Sequence, residues 1–225
     1  LTAADEGYRN AAAGLSRERR AAALRLAGEV RKELSHLGME KTRFEVGFEE
    51  AAAASGIPAD ATAPEGGPKG IDRITFQVSP NPGEELRPLN RVASGGETSR
   101  IMLALKTVIA TSTGAAGTRV RTLVFDEVDA GIGGRVADSV GERMKRLARE
   151  NQVLSVTHLP QIACFADHHY SVEKIERAGR TFTSVQKLST ERERATELAR
   201  MLSGRRITEA VLEHATAMLK QGSRR

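Results

Sequence analysis

Three short runs of the sequence combine residue types that handle magnesium and phosphate. Asp126 and Glu127 directly follow the apolar segment 122–125, and His158 follows the apolar segment 153–156. The carboxyl ends of strands are where α/β sheets bind ligands. Asp126 is therefore a candidate Mg²⁺ partner, acting through water because Mg²⁺ keeps much of its hydration shell. Glu127 is a candidate base that would polarise an attacking water.

The run Ser94-Gly95-Gly96-Glu97 precedes a helical pattern that continues to about residue 109. Two glycines allow a backbone to approach phosphate closely, a helix start offers free N–H groups, and Ser94 adds a hydroxyl donor. The same four residues also form the Ser-x-x-Glu pattern of a capping box. Both interpretations can hold, because a capped helix start is also an anion site.

Each of these runs also has a purely structural interpretation. Asp126 and Glu127 could begin a loop and cap the next helix, and a single histidine after a strand usually has a structural role. The combination favours a functional interpretation over a structural one, because the acids follow the glycine run by about 30 residues and His158 follows the acids by about 30 more.

Composition limits the possible classes of protein. The 225 residues are 40% hydrophobic and 4% aromatic, which suits a modest core with a good deal of exposed helix. With 34 basic and 29 acidic residues, the net charge of +5 permits contact with an acidic polymer without being polybasic. No apolar stretch is long enough to predict a membrane span. Cys164 lies in an apolar run, which predicts a buried thiol in a reducing compartment.

The order of the patterns predicts two parts. Residues 1–38 form an alanine-rich amphipathic helix, for which an ordinary packed helix and a coiled-coil segment are both consistent interpretations, with Gly38 as its C-cap. In residues 39–225, strands alternate with helices, which predicts an α/β domain with a mostly parallel sheet. Segment 51–70, rich in proline and glycine, is expected to be a mobile surface loop. Thr190 and Thr208 are expected to cap the last two helices.

The three runs resemble elements of ABC-type ATPases. In chain order, residues 94–97 resemble the signature, the segment ending in Asp126 and Glu127 resembles the Walker B strand, and His158 resembles the switch histidine. Longer matches narrow this resemblance to the RecN family of bacterial SMC-like proteins of double-strand-break repair. The resemblance begins at about Leu34 and extends to the C-terminal helices. The matching segments include residues 79–84, 92–97, 125–134 and 157–163.

The resemblance implies a mechanism with ATP and Mg²⁺ as cofactors. Two heads would sandwich two ATP molecules, with Glu127 as base and His158 at the γ-phosphate. Ser94, Gly95, Gly96 and Glu97 would serve the ATP of the partner head. Asp129 falls in the loop that links the two sites of a dimer.

The resemblance also implies where the protein acts. The ATP cycle would change how coiled-coil arms hold DNA, and residues 1–38 would be the returning helix of such an arm. The protein is expected in the cytoplasm, at the nucleoid.

One expected element is absent from the sequence. No Gly-x-x-x-x-Gly-Lys-[Ser/Thr] motif occurs to cradle the phosphates. The expectation is that the chain is the C-terminal lobe of a larger head, with the Walker A lobe preceding it, and that the isolated chain is inactive. The alternatives are the nucleotide-binding half of a transporter and a non-enzymatic DNA-binding or dimerisation module.

Overall fold

The computed structural model describes residues 2–50, 67–92, 94–112, 121–177, 180–204 and 206–224. In chain order the helices are α1 (Thr2–His36), α2 (Gly95–Ser112), α3 (Gly134–Leu147), α4 (Pro160–Ala163), α5 (Glu191–Ser203) and α6 (Glu209–Arg224). The strands are β1 (Arg43–Glu50), β2 (Asp72–Ser79), β3 (Arg87–Pro88), β4 (Thr122–Phe125), β5 (Gln152–Ser155), β6 (His169–Arg177) and β7 (Arg180–Leu188). Contacts divide the chain into two units, Leu1–Ser35 with Met39–Ser94, and His36–Gly38 with Gly95–Arg225.

The first unit is built on α1, the longest helix described. Ala27, Val30 and Leu34 are buried at spacings of three and four residues, which is the stripe that an amphipathic helix presents to a core. The helix ends where Met39 N donates to Leu34 O over 3.0 Å, next to Gly38 at a φ of 72°. This backbone conformation favours glycine, and Gly38 ends the helix as the sequence predicts.

Strands β1, β2 and β3 form an antiparallel sheet in the same unit. Phe44 pairs with Val78, both side chains are fully buried, and the Phe44 and Phe76 ring centroids lie 5.7 Å apart. Apolar residues alternate with others along β1 and β2, a pattern that by itself indicates strands, whereas the two-residue strand β3 carries no such pattern. Of the expected mobile loop 51–70, residues 51–66 lie outside the described residues, and Gly67 and Gly70 form a bridged turn.

A polar cluster joins α1 to the start of β2. The Asp72 side chain is only 3% exposed. Ser16 Oγ donates to its Oδ1 over 2.6 Å, Arg19 Nη1 donates to its Oδ2 over 3.2 Å, and an Arg20 nitrogen lies 4.0 Å away. Burial raises the pKa of Asp72, but the Ser16 and Arg19 hydrogen bonds and the arginine charges outweigh it, so the pKa lies below its ordinary value.

The second unit contains the parallel pair β4 and β5, with Thr122 beside Gln152 and Phe125 beside Ser155. Helix α2 leads into β4 in sequence, and α3 connects β4 to β5 by a crossover. Helices α5 and α6 enclose a further core with the α4 region, whose buried members include Cys164, Phe165, Leu198 and Leu219. Cys164 is buried as predicted, and burial raises the pKa of its thiol to about 11.

The predicted helix caps are present in this unit. Thr190 and Glu193 form a reciprocal capping box at the start of α5. Thr208 Oγ1 accepts a hydrogen bond from Val211 N at the start of α6.

The α/β class is confirmed, and the parallel pairing is that of β4 with β5. The other strand pairs described are antiparallel, including the hairpin of β6 and β7. Strong alternation of apolar and polar residues is typical of antiparallel strands with one covered face, and the apolar run of β4 is typical of a parallel strand. Among the described residues, no helix is long and apolar enough to cross a membrane.

The Asp72 cluster gives a first prediction. Replacing Asp72 by Asn should lower the free energy of unfolding by about 1–3 kcal/mol at pH 7, because Arg19 and Ser16 lose a charged acceptor. The pKa of Asp72 is lowered by folding, so this stability is fully present above about pH 4 and is lost as the pH falls through the folded pKa. Urea unfolding from pH 7 towards pH 3 should show wild type and variant converging in acid.

Glu29→Gln is the matched control, because Glu29 forms an exposed pair with Lys32. We expect that control to change stability by less than about 1 kcal/mol. Equal losses for both variants, or a difference that persists in acid, would contradict the assignment of Asp72.

Candidate functional site

The two predicted acids lie directly beyond the end of β4. Phe125 is buried, and Asp126 and Glu127 are exposed. Glu127 N donates to Asp126 Oδ1 over 2.9 Å, which orients the Asp126 carboxylate. Glu127 has a φ of 54°, a left-handed conformation that costs a residue with a Cβ free energy. Both carboxylates are thus available to a ligand at the strand end.

The start of α2 lies against this loop. A Cβ added at Gly95 would collide with the carboxylate oxygen Oε2 of Glu127. A Cβ at Gly96 would lie 2.8 Å from the Ala130 Cβ and 3.1 Å from the Glu127 carbonyl oxygen. A side chain at position 95 would displace the Glu127 carboxylate, and a side chain at position 96 would push the backbone of the loop away.

The predicted anion-binding residues lie at the start of α2. Ser94 and Gly95 are exposed where α2 begins, and Glu97 is half-buried in its first turn. The first N–H groups of a helix have no partner within the helix, and they carry the positive end of its dipole. The arrangement therefore offers an anion a backbone approach beside the Glu127 carboxylate.

Asp129 and His158 are brought together by the parallel pairing of β4 and β5. Val156 N donates to Phe125 O over 3.1 Å, so the loops after the two strands leave the sheet side by side. Asp129 Oδ2 accepts from Thr157 Oγ1 over 2.6 Å and from His158 N over 2.8 Å. His158 Nδ1 lies 2.9 Å from the same oxygen. The predicted loop acid and the predicted histidine are thus direct neighbours within one chain.

The electrostatics of this pair are asymmetric. The Asp129 side chain is 5% exposed and the His158 side chain is 73% exposed. Burial raises the pKa of Asp129, but the bonds from Thr157 and from the His158 backbone, together with the His158 charge, bring it below its ordinary value. Asp129 is a buried anion that holds one imidazole nitrogen, which leaves Nε2 as the nitrogen for a ligand.

The residues fit a nucleotide with Mg²⁺. The exposed carboxylate of Asp126 suits Mg²⁺, which takes one or two carboxylates and fills its other positions with water and phosphate. Among the described residues, no group of three or more His, Cys, Asp or Glu could hold a metal ion. Asp126 would hold the metal, which would polarise the phosphate oxygens.

Three supporting residues were missed by the sequence reasoning. Thr157 orients Asp129, Ser99 Oγ donates to Asp126 O over 2.7 Å, and Arg100 Nη1 donates to Val128 O and Ala130 O. The sequence did offer one indication of these contacts. Arg100 is a charged residue that lies at helical spacing from Ala104 and Thr107, both of which are buried. A cation on the apolar face of a helix requires polar partners, although the sequence does not say which.

The comparisons with known proteins agree on one sequence family. The chain is 42% identical over 207 residues to the DNA repair protein RecN of Halalkalibacterium halodurans, covering 92% of the chain and 34% of that protein. It is 40% identical over 218 residues to RecN of Bacillus subtilis (strain 168), with 93% and 36% covered. RecN of Mycobacterium tuberculosis (strain ATCC 25618 / H37Rv) is 44% identical over 216 residues, with 93% and 36% covered.

This is a RecN-type sequence. The resemblance inferred from the motifs is confirmed, and the chain spans about a third of the length of the curated RecN proteins it matches. No family model matches the chain.

Solved SMC heads are also similar to the RecN-type chain. The head domain with a coiled coil and joint from Pyrococcus yayanosii has a TM-score of 0.48 and 19% identity, covering 92% of this chain and 30% of that one. A head with an extended coiled coil from Pyrococcus furiosus, bound to the C-terminal domain of ScpA, has a TM-score of 0.45 and 18% identity, covering 79% and 37%.

The close approach at Gly96 gives a second prediction. Gly96→Ala should destabilise the chain by about 1–3 kcal/mol, because the added methyl group overpacks the contact with Ala130 and the Glu127 carbonyl. Chemical denaturation monitored by circular dichroism would measure the change.

Gly28→Ala, inside helix α1, is the matched control, since a Cβ there meets nothing within 4 Å. Helix propensity alone favours Ala over Gly inside a helix by about 1 kcal/mol. A Gly96→Ala protein that is more stable than wild type would therefore show that the contact is loose.

Proposed function

We propose that the chain is the C-terminal lobe of the ATPase head of a RecN-type, SMC-like protein that hydrolyses ATP while acting on DNA double-strand breaks. The observation that carries this proposal is the meeting of three elements at one edge of the β4–β5 pair. These are the acids after β4, the Asp129–His158 pair and the start of α2. The 40–44% identity to RecN proteins supports the same conclusion.

The proposed chemistry assigns each side chain a step. Asp126 would hold Mg²⁺ through water, and the bound metal would stabilise charge on the phosphate oxygens. Glu127 accepts a proton from the water that attacks the γ-phosphorus. His158, held by Asp129 through Nδ1, presents Nε2 to the γ-phosphate.

The residues at the start of α2 are proposed to act on a second head. Ser94 and Gly95 are exposed, so an approaching partner could deliver its ATP to them. In this arrangement the partner's ATP site is closed by Ser94, Gly95, Gly96 and Glu97. The chain's own ATP site is served by Asp126, Glu127 and His158. The Asp129 loop, which borders both groups, would link the two sites of the dimer.

An uncovered apolar surface supports a further lobe with the Walker A motif. Val124 and Leu154 are paired neighbours on β4 and β5, and Val156 follows on the same face; they are 68%, 50% and 66% exposed. Parallel strands are normally covered on both faces, and a two-stranded sheet alone is at most marginally stable. We place the Walker A lobe of the same protein on this surface. The chain alone is then expected to show no ATP turnover.

The arm and the DNA complete the proposal. Helix α1 would be the returning helix of a coiled coil, and its Leu24 side chain is 77% exposed, as an unpaired seam residue would be. ATP-driven closure and opening of two heads would then change how such arms hold DNA. The protein would work at the nucleoid in the cytoplasm. A non-enzymatic role of the isolated chain remains the competing hypothesis.

Glu127→Gln tests the catalytic assignment in the protein that includes the Walker A lobe. We expect kcat for ATP to fall about 100-fold or more, with nucleotide binding retained and closed dimers accumulating, because only the base is removed. Steady-state turnover, equilibrium nucleotide binding and sedimentation would be measured. Glu213→Gln, an exposed position on α6, is the control and should behave as wild type. Loss of nucleotide affinity by Glu127→Gln would instead indicate a structural or metal-binding role.

Ser94→Arg tests the action on a partner head. A bulky side chain at this exposed position should leave ATP binding by one head unchanged and abolish ATP-driven dimerisation and hydrolysis. Ser94→Ala serves as the smaller variant. If Ser94 only caps α2, both variants lose about 0.5–2 kcal/mol of stability and still dimerise with ATP. Thermal melting beside sedimentation with a slowly hydrolysed ATP analogue separates these two results.

A further inference from the structure

Arg100 is buried, and among the described residues its guanidinium hydrogen bonds go to backbone carbonyls, while the Glu97 charge acts on it electrostatically. Its exposure is 8%, and its Nη1 donates over 3.3 Å to Val128 O and over 2.8 Å to Ala130 O. Its Nε has no hydrogen-bond partner among the described residues. Taking an arginine out of water costs free energy, and two carbonyl bonds offset only part of that cost. The packing of α2 alone would be better served by an apolar residue, so the position of this cation requires another explanation.

The contacts of α2 follow a regular pattern along the loop after β4. Ser99 holds the carbonyl of Asp126, and Arg100 holds the carbonyls of Val128 and Ala130. The carbonyls of residues 126, 128 and 130 are therefore fixed to α2. The residues between them, Glu127 and Asp129, carry two of the three carboxylates of the site.

Two further contacts close the connection. The Glu127 carbonyl accepts from Ala130 N over 3.0 Å, which makes residues 127–130 a tight turn, and Gly96 lies against that carbonyl. Asp129 in turn holds the backbone and Nδ1 of His158. A displacement of the first turns of α2 would therefore be passed to the carboxylate of Glu127 and, through Asp129, to His158.

We propose that Ser99 and Arg100 are positioning residues that couple the phosphate group bound at the start of α2 to the placement of Glu127 and Asp129 in the same chain. This inference rests on the proposed function, since that phosphate is the one a partner head delivers. Neither residue touches the nucleotide. They make the arrival of the partner's phosphate a condition for correct alignment of the base, so hydrolysis in one site depends on occupancy of the other.

The test uses the protein with its Walker A lobe. Arg100→Gln should lower kcat for ATP by about 100-fold, as expected for a misplaced reacting group, with the KM for ATP and ATP-driven dimerisation close to wild type. Arg100→Lys should recover part of kcat, because a cation can still reach a carbonyl. Ser99→Ala should lower kcat less, since one of three carbonyl bonds is lost. Arg146→Gln, an exposed position on α3, is the control and should change nothing.

A double-mutant comparison separates positioning from general destabilisation. In the Glu127→Gln background, Arg100→Gln should cause no further loss of kcat, because the group that it aligns is already gone. A further loss of about 100-fold in that background would overturn the inference. So would an Arg100→Gln protein that melts at a lower temperature but has the wild-type kcat per folded molecule. If Arg100→Gln fails to fold, Ser99→Ala decides by the same two measurements.

Wild type and Glu127→Gln serve as reference proteins that separate a failure of this inference from a failure of the proposed function. If wild type hydrolyses ATP and Glu127→Gln does not, the proposed function holds, and a wild-type kcat for Arg100→Gln and Ser99→Ala overturns the coupling alone. If wild type does not hydrolyse ATP, or Glu127→Gln turns over normally, the proposed function fails and the coupling fails with it.

Discussion

The contact between the start of α2 and the turn at residues 127–130 is the constraint on which the geometry of the site depends. Gly96 lies so close to Ala130 and to the Glu127 carbonyl that a methyl group would not fit. The turn cannot withdraw, because Arg100 on the same helix holds two of its carbonyls and Ser99 holds the carbonyl of the preceding Asp126. The helix start, the two acids after β4 and the buried Asp129 are consequently joined into one connected piece, and the pairing of β4 with β5 adds His158 to it.

The three acids of this piece have different surroundings and therefore suit different tasks. Asp126 and Glu127 are exposed at the strand end, where a cation or a water can reach them. Asp129 is buried, and its oxygen is occupied by Thr157 and His158. A buried anion bonded to neighbouring residues of its own chain is suited to orienting one of them. The proposed division, in which exposed acids handle metal and water while the buried acid aligns a histidine, follows from these surroundings.

The sequence predicted the parts of this site that depend on local pattern. The acids and the histidine could be placed because parallel strands end at the same edge of a sheet, and the helix start could be placed from Gly95 and Gly96. The supporting contacts could not be predicted, because they join residues 27 to 30 positions apart. Three of them end on backbone carbonyls, and the fourth runs from Thr157 to the Asp129 carboxylate. The same holds for Asp72, whose partners on α1 are more than 50 positions away. No local pattern indicated that β1–β3 would group with α1, because that association is made by such distant contacts.

At Glu127 the backbone conformation that lowers the stability of the chain coincides with the side chain that is proposed to act in hydrolysis. Its φ of 54° is one that Gly or Asn adopts at little cost, whereas glutamate is disfavoured there by roughly 1–2 kcal/mol. Selection for a more stable chain would therefore tend to remove the carboxylate, and the presence of glutamate in this conformation implies an opposing pressure. If the carboxylate is the base, any lineage that lost hydrolysis would be free to replace it. Among such descendants, a small or amide side chain at this position would mark a head that can still close on nucleotide but has ceased to turn it over.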